Sequence, residues 1–219
     1  MEKHELSVRR TARYVTLGSL NADTRRIWFV LHGYGQLAEY FIRRFDVLDD
    51  GFTYIVAPEA LSRFYLDGLG AHNKVGATWM TREDRMNEIE DYVQYLNMLY
   101  QTVLGEADEN RLKIGLLGFS QGTATACRWA ASSPLQFDRL VLWAGSFPPE
   151  LPELPYWEKL KNIDSLLVYG NEDFFINEIE IAKHQAEWQK WGLSPRIIQF
   201  AGKHEIVRNV VLKVMAGEK

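Results

Sequence analysis

The 219-residue chain has a single cysteine, Cys127, so no disulfide can form within it and a reducing compartment is expected. It has seven prolines, and four of them crowd between Phe147 and Pro155, where only a loop fits. No apolar run exceeds strand length, which argues against a membrane-spanning segment, and the charged stretch from Met1 to Arg13 lacks the core of a signal peptide. Cations are outnumbered, 25 Lys and Arg against 29 Asp and Glu, and no basic run accompanies the aromatics. A net charge of −4 without a basic stripe argues against nucleic acid as a partner. There is no G-x-G-x-x-G, no P-loop, no Cys/His cluster with metal-ligand spacing, no repeat and no low-complexity linker. What is present is an ordinary globular composition, 47% apolar and 25% charged. One cytoplasmic domain over residues 1–219, a monomer or homodimer, is the expectation.

Apolar runs of strand length alternate with stretches of helical period. Strands are predicted at Tyr14–Gly18, Arg26–Leu31, Tyr54–Ala57, Leu112–Leu117, Arg139–Trp143, Ser165–Gly170 and Arg196–Phe200. Between them, helices are predicted over Ala38–Leu48, from a Thr81 cap to Gly105, over Gln121–Ala131, from an Asn177 cap to Gly192, and at the end of the chain. This alternation implies an α/β fold around a mostly parallel sheet of about seven strands, with ligands bound at the carboxyl ends of the strands.

One of those strand-to-helix junctions reads Gly118-Phe119-Ser120-Gln121-Gly122. A G-x-S-x-G between a strand and a helix is the nucleophile elbow of α/β-hydrolases. The turn exposes its serine in a strained conformation, and residues on either side must lack a Cβ for the backbone to fold so sharply. Ser120, Asp173 and His204 each lie just past a predicted strand end, in the chain order serine, acid, histidine. Catalysis needs this set: a hydroxyl is a weak nucleophile until a neighbouring imidazole takes its proton, and a carboxylate orients that imidazole. Glu172 stays open as the alternative acid to Asp173. Two backbone N–H groups should bind the oxyanion, one from Gln121 and one from Tyr34 in the His32-Gly33-Tyr34-Gly35 turn. His32 reads as a hydrogen-bonded residue at a strand end, and Cys127 as a small core residue.

The combination of Leu31-His32-Gly33-x-Gly35, the G-F-S-Q-G elbow, Gly170-x-x-Asp173 and a late Gly-x-His204 resembles the phospholipase/carboxylesterase family, which includes acyl-protein thioesterases. The resemblance covers nearly the whole chain. It implies a compact α/β-hydrolase with no large cap domain, acting on a small-molecule carboxylic ester or thioester without a cofactor or metal. It also implies the triad Ser120, Asp173 and His204. The chain departs from that family at Gln36, where an acidic residue is usual, at Thr123, where a second glycine is usual, and at Lys203, which interrupts Gly-Gly-His. A binding protein that kept the fold is the alternative from another class; a peptidase or a dienelactone-type hydrolase is the alternative among enzymes.

The stretch from Leu61 to Met80 shows no clean period. Its aromatics argue against disorder. Phe64, Tyr65, Leu66, Leu69, Trp79 and Met80 are predicted to line an apolar acyl slot. Tyr65, His72, Asn73 and Lys74 would make its rim polar, which favours short to medium acyl chains.

Overall fold

The computed structural model describes residues 1–67, 73–105 and 111–216. Its centre is a seven-stranded sheet in the order β1 (Tyr14–Leu17), β3 (Thr53–Pro58), β2 (Arg26–Leu31), β6 (Lys113–Phe119), β7 (Arg139–Trp143), β8 (Asp164–Gly170), β9 (Arg196–Phe200). Only β1 runs antiparallel; β2, β3 and β6 to β9 pair in parallel. The apolar runs explain why. All five residues after Arg26 in β2 are buried, as in a strand covered on both faces. Successive side chains point to opposite faces, so Ile27, Phe29 and Leu31 enter one core while Trp28 and Val30 enter the other.

Three helices cover the first face: α2 (Arg85–Leu104), α3 (Gln121–Ser132) and α4 (Glu178–Lys190). They contribute Leu96 and Tyr100, Trp129 and Ala130, and Trp188. The second face is closed by α1 (Ala38–Phe41), the 3-10 turns of Ile42–Leu48 and α5 (Arg208–Met215). Cys127 is a buried core residue of α3, and burial raises its thiol pKa. No helix among the described residues is long and apolar enough to cross a membrane.

Three local expectations change. The helix predicted over 38–48 is α-helical for its first four residues only; Ile42, Phe45 and Leu48 then recur every third residue, the 3-10 period, and all three are buried. Thr81 does not cap α2. The helix starts at Arg85 behind Asp84, held at φ 54°, while the Glu88 carboxylate reaches back to the Thr81 N–H at 2.6 Å. The irregular stretch contains a hairpin, β4 (Ser62–Tyr65) against β5 (Val75–Thr78). Its partner contact lies far back in the chain, a bridge between Gln36 and Ala77, which no local period reveals. The predicted Asn177 cap holds: its side-chain oxygen accepts the Glu180 N–H at 3.0 Å.

Candidate active site

At the carboxyl end of β6 the chain turns through Ser120 at φ 54°, ψ −117° and enters α3 at Gln121. Such a conformation is strained for a residue with a Cβ and persists only when its surroundings enforce it. Here the enforcement is steric and hydrogen-bonded. A Cβ added to Gly118 would lie 2.2 Å from the Gly122 carbonyl oxygen, and one on Gly122 would lie 2.3 Å from that of Leu31. The Ser120 N–H donates to the Trp143 carbonyl at 2.9 Å. Thr123 is fully buried, and its hydroxyl donates to the Gly118 carbonyl at 2.9 Å. Its extra bulk is matched by Gly145, where a Cβ would stand 2.5 Å from Thr123 Oγ1.

Two neighbouring strands, β8 and β9, lead to Asp173 and His204. Asp173 follows β8, and its side chain is wholly shielded from solvent. Its Oδ2 lies 2.8 Å from His204 Nδ1, while Oδ1 accepts the Phe175 and Ile176 N–H groups at 2.8 and 3.2 Å. With Nδ1–H committed to the carboxylate, the neutral ring presents Nε2 as its basic nitrogen. Glu172 is exposed, and its backbone N–H donates to the Gly202 carbonyl at 2.9 Å, so the acid brought to the imidazole is Asp173. The His204 ring lies between Phe119 and Phe175, with centroid separations of 5.0 and 4.8 Å. Among the described residues no hydrogen bond joins Ser120 Oγ to the ring; such bonds commonly tighten only when substrate binds.

The turn after β2 abuts the elbow: a Cβ on Gly33 would sit 3.1 Å from that of Ser120. His32 anchors this turn from beneath. It is fully buried, its Nδ1 donates to the Gly33 carbonyl at 2.8 Å, and its Nε2 accepts the Ala60 N–H at 3.0 Å. Burial pushes its pKa down to about 4, so it is a neutral structural residue. Gln36 closes the turn, its side-chain oxygen accepting the Gly33 N–H at 2.8 Å. The amide therefore supplies the same kind of acceptor as the acidic residue usual in the resembled family. From the far side, Gly35 N–H donates to the Ala77 carbonyl at 2.8 Å. Neither the Tyr34 N–H nor the Gln121 N–H has an acceptor among the described residues.

Gln121 has a second role that the motif did not suggest. Its side-chain oxygen accepts the Trp79 N–H at 3.1 Å and its amide nitrogen donates to the Met80 carbonyl at 2.9 Å. This clamp fastens the end of the hairpin to the first residue of α3. A long polar side chain beside the serine was the only signal in the sequence, and it named no partner.

The acyl slot drawn from residues 64–80 is corrected. Trp79 is 2% exposed, its indole N–H donates to the His32 carbonyl at 2.8 Å, and it packs into the core beside Tyr92. Met80 is half-buried against the same core, Phe64 lies against the Tyr34 ring at 5.1 Å, and Tyr65 is exposed. Alternation along the hairpin, together with the His32 and Gln121 bonds, turns these side chains away from a common pocket. Leu69 and His72 lie outside the described residues. The cleft that does open at His204 has a volume of about 720 Å³, and of the predicted slot only Leu66 lines it, with Tyr40, Phe41, Val75, Phe119 and Ile206.

A mostly parallel sheet with a strained serine on a strand-to-helix turn, and a His–Asp pair at the same edge, is an α/β-hydrolase. The sequence pattern of the serine hydrolase (FSH1) family matches residues 23–209, and the chain belongs to that family. No curated protein matches it by sequence. Among solved structures, Zea mays acyl-protein thioesterase 2 is 18% identical with a TM-score of 0.68, over 93% of this chain and 96% of that one. Arabidopsis thaliana SOBER1 is 15% identical with a TM-score of 0.66, over 87% and 96%. A Bacillus cereus carboxylesterase is 13% identical with a TM-score of 0.62, over 92% and 91%.

Proposed function

We propose that the protein is a cytoplasmic esterase or thioesterase that hydrolyses small carboxylic esters or thioesters through an acyl-enzyme. His204 Nε2 takes the Ser120 proton as Oγ attacks the carbonyl carbon, and the Tyr34 and Gln121 N–H groups bind the oxyanion. His204 then gives that proton to the departing alcohol or thiol as the C–O or C–S bond breaks. Water, activated by the same imidazole, releases the acid and regenerates Ser120. Asp173 keeps the ring in the required tautomer and stabilises the imidazolium.

The observation that carries this reading is the 2.8 Å bond from His204 to a fully shielded Asp173, at the strand ends where Ser120 stands half-buried on its turn. The neighbours named as a thioesterase and a carboxylesterase support the ester and thioester class. A binding protein would have no use for the buried acid. The test is a fluorophosphonate probe: it should label Ser120 in the wild type and fail in Ser120→Ala, and an unlabelled wild type would refute the reading. The expected preference for short to medium acyl chains is measured with a series of p-nitrophenyl esters from acetate to palmitate.

A further inference from the structure

The cleft at His204 is positive in a protein of net charge −4. Arg44 and Lys74 stand on its wall, opposed by one carboxylate, Glu205, next to His204. Other acids in the neighbourhood have partners of their own. Glu39 pairs with Arg43 at 3.1 Å and Asp46 with Arg208 at 2.7 Å. Asp67 accepts the backbone N–H groups of Asn73 and Lys74 at 3.0 and 3.2 Å. Among the described residues neither Arg44 nor Lys74 has a carboxylate within salt-bridge distance. Arg43, the neighbour of Arg44, is by contrast doubly occupied, by Glu39 and by the Tyr40 ring at 5.0 Å. Among the described residues these two cations therefore face, without a carboxylate partner, a cleft lined by both polar and apolar side chains.

The position of the cleft says which half of the substrate meets them. His204 forms part of its wall, and the group that leaves is the one that receives its proton. Resting on the hydrolase reading above, we infer that the preferred substrate carries an anionic group, a carboxylate or phosphate, on its leaving alcohol or thiol, and that Arg44 and Lys74 bind it. Leu37, Tyr40 and Phe41 would hold the carbon chain between the scissile bond and the charge. Both cations are exposed, so the effect is one of preference and approach, weakened by salt.

The experiment compares kcat/KM for S-butyryl-3-mercaptopropionate and S-butyryl-1-butanethiol, followed by thiol release. These thioesters share an acyl group and differ in the charge of the leaving thiol. The wild type should prefer the anionic thioester by roughly fivefold or more at low salt, as two screened ion pairs allow. The preference should shrink toward one in Arg44→Gln/Lys74→Gln, through loss on the anionic substrate, and also in about 0.5 M NaCl. Equal or better turnover of the neutral thioester by wild type, or an equal loss on both substrates in the double variant, would overturn the inference while leaving the hydrolase reading intact. Equilibrium dialysis of the two thioesters on Ser120→Ala reads the site without turnover. Tighter binding of the anionic one supports it even if the hydrolase reading has failed, and equal binding overturns it.

Discussion

The elbow and the β4–β5 hairpin meet at the same site and are held there by different means. At the elbow the signal lies close in sequence, since Gly118 and Gly122 flank Ser120, although the Gly122 clash and the Ser120 N–H bond reach Leu31 and Trp143 on the adjoining strands. In the hairpin they come from far away. Trp79 is fixed by the His32 carbonyl and by Gln121, and Ala77 by Gln36. Glycine is demanded there too, since a Cβ on Gly76 would lie 2.3 Å from the Gly35 carbonyl oxygen. The elbow holds Ser120 on a sharp turn at the strand ends. The hairpin is a strap whose inner residues brace the turn after β2 and from which Leu66 and Lys74 reach the cleft.

That contrast is broken most severely at the elbow. Ser120→Ala should lose roughly 10⁴-fold or more in kcat while folding normally, because it removes the nucleophile and leaves the glycines in place. Turnover of the purified variant near the wild-type level would remove Ser120 from the mechanism. Asp173→Asn should cost about 10⁴-fold, since an amide holds the ring in the wrong tautomer. Glu172→Gln should be nearly silent in the same assay, because that side chain is exposed.

The hairpin side of the comparison predicts a stability effect in place of a specificity effect. Trp79→Ala should cost about 3–5 kcal/mol of unfolding free energy in denaturant titration, the scale for emptying a buried aromatic site. Its acyl-length profile should keep the wild-type shape. A normal stability with a flattened profile would restore Trp79 to the pocket.

His32 sharpens the point, because it links the two regions. Its folded pKa, about 4, is lower than the ordinary value of 6.5, so the unfolded chain takes up the proton first. Its contribution is therefore complete above pH 6.5 and is lost as pH falls toward 4, on the order of 3 kcal/mol in all. Titrated stability of wild type against His32→Gln should diverge in slope across that window; parallel curves would contradict a buried neutral imidazole. A smaller effect than at the triad is expected at Gln36. Gln36→Ala frees the Gly33 N–H and loosens the oxyanion turn, for a loss of about tenfold in kcat with KM little changed, whereas Gln36→Glu, which keeps the acceptor, should retain most activity.

The sequence by itself determined the strands of the sheet and pointed to the polar residues that meet at its carboxyl ends. Buried strands are continuous apolar runs, and the elbow is specified by glycines two residues from its serine, so both are written within a few neighbouring positions. The serine, acid, histidine order followed from where those runs end. Proximity of Asp173 over Glu172 was not written locally, since both sit in one turn and the choice rests on Gly202 and His204, about thirty residues on. The start of α2 differs from the expected Thr81 cap because Glu88, from inside the helix, takes the Thr81 N–H. The hairpin was invisible because its register is set by pairing with residues 35 and 36 and by the clamp from Gln121. Which aromatics line the cleft and which fill the core was decided only by tertiary structure. An apolar residue carries the same signal in either place, and only the hydrogen bonds and packing across the fold determine which way it turns.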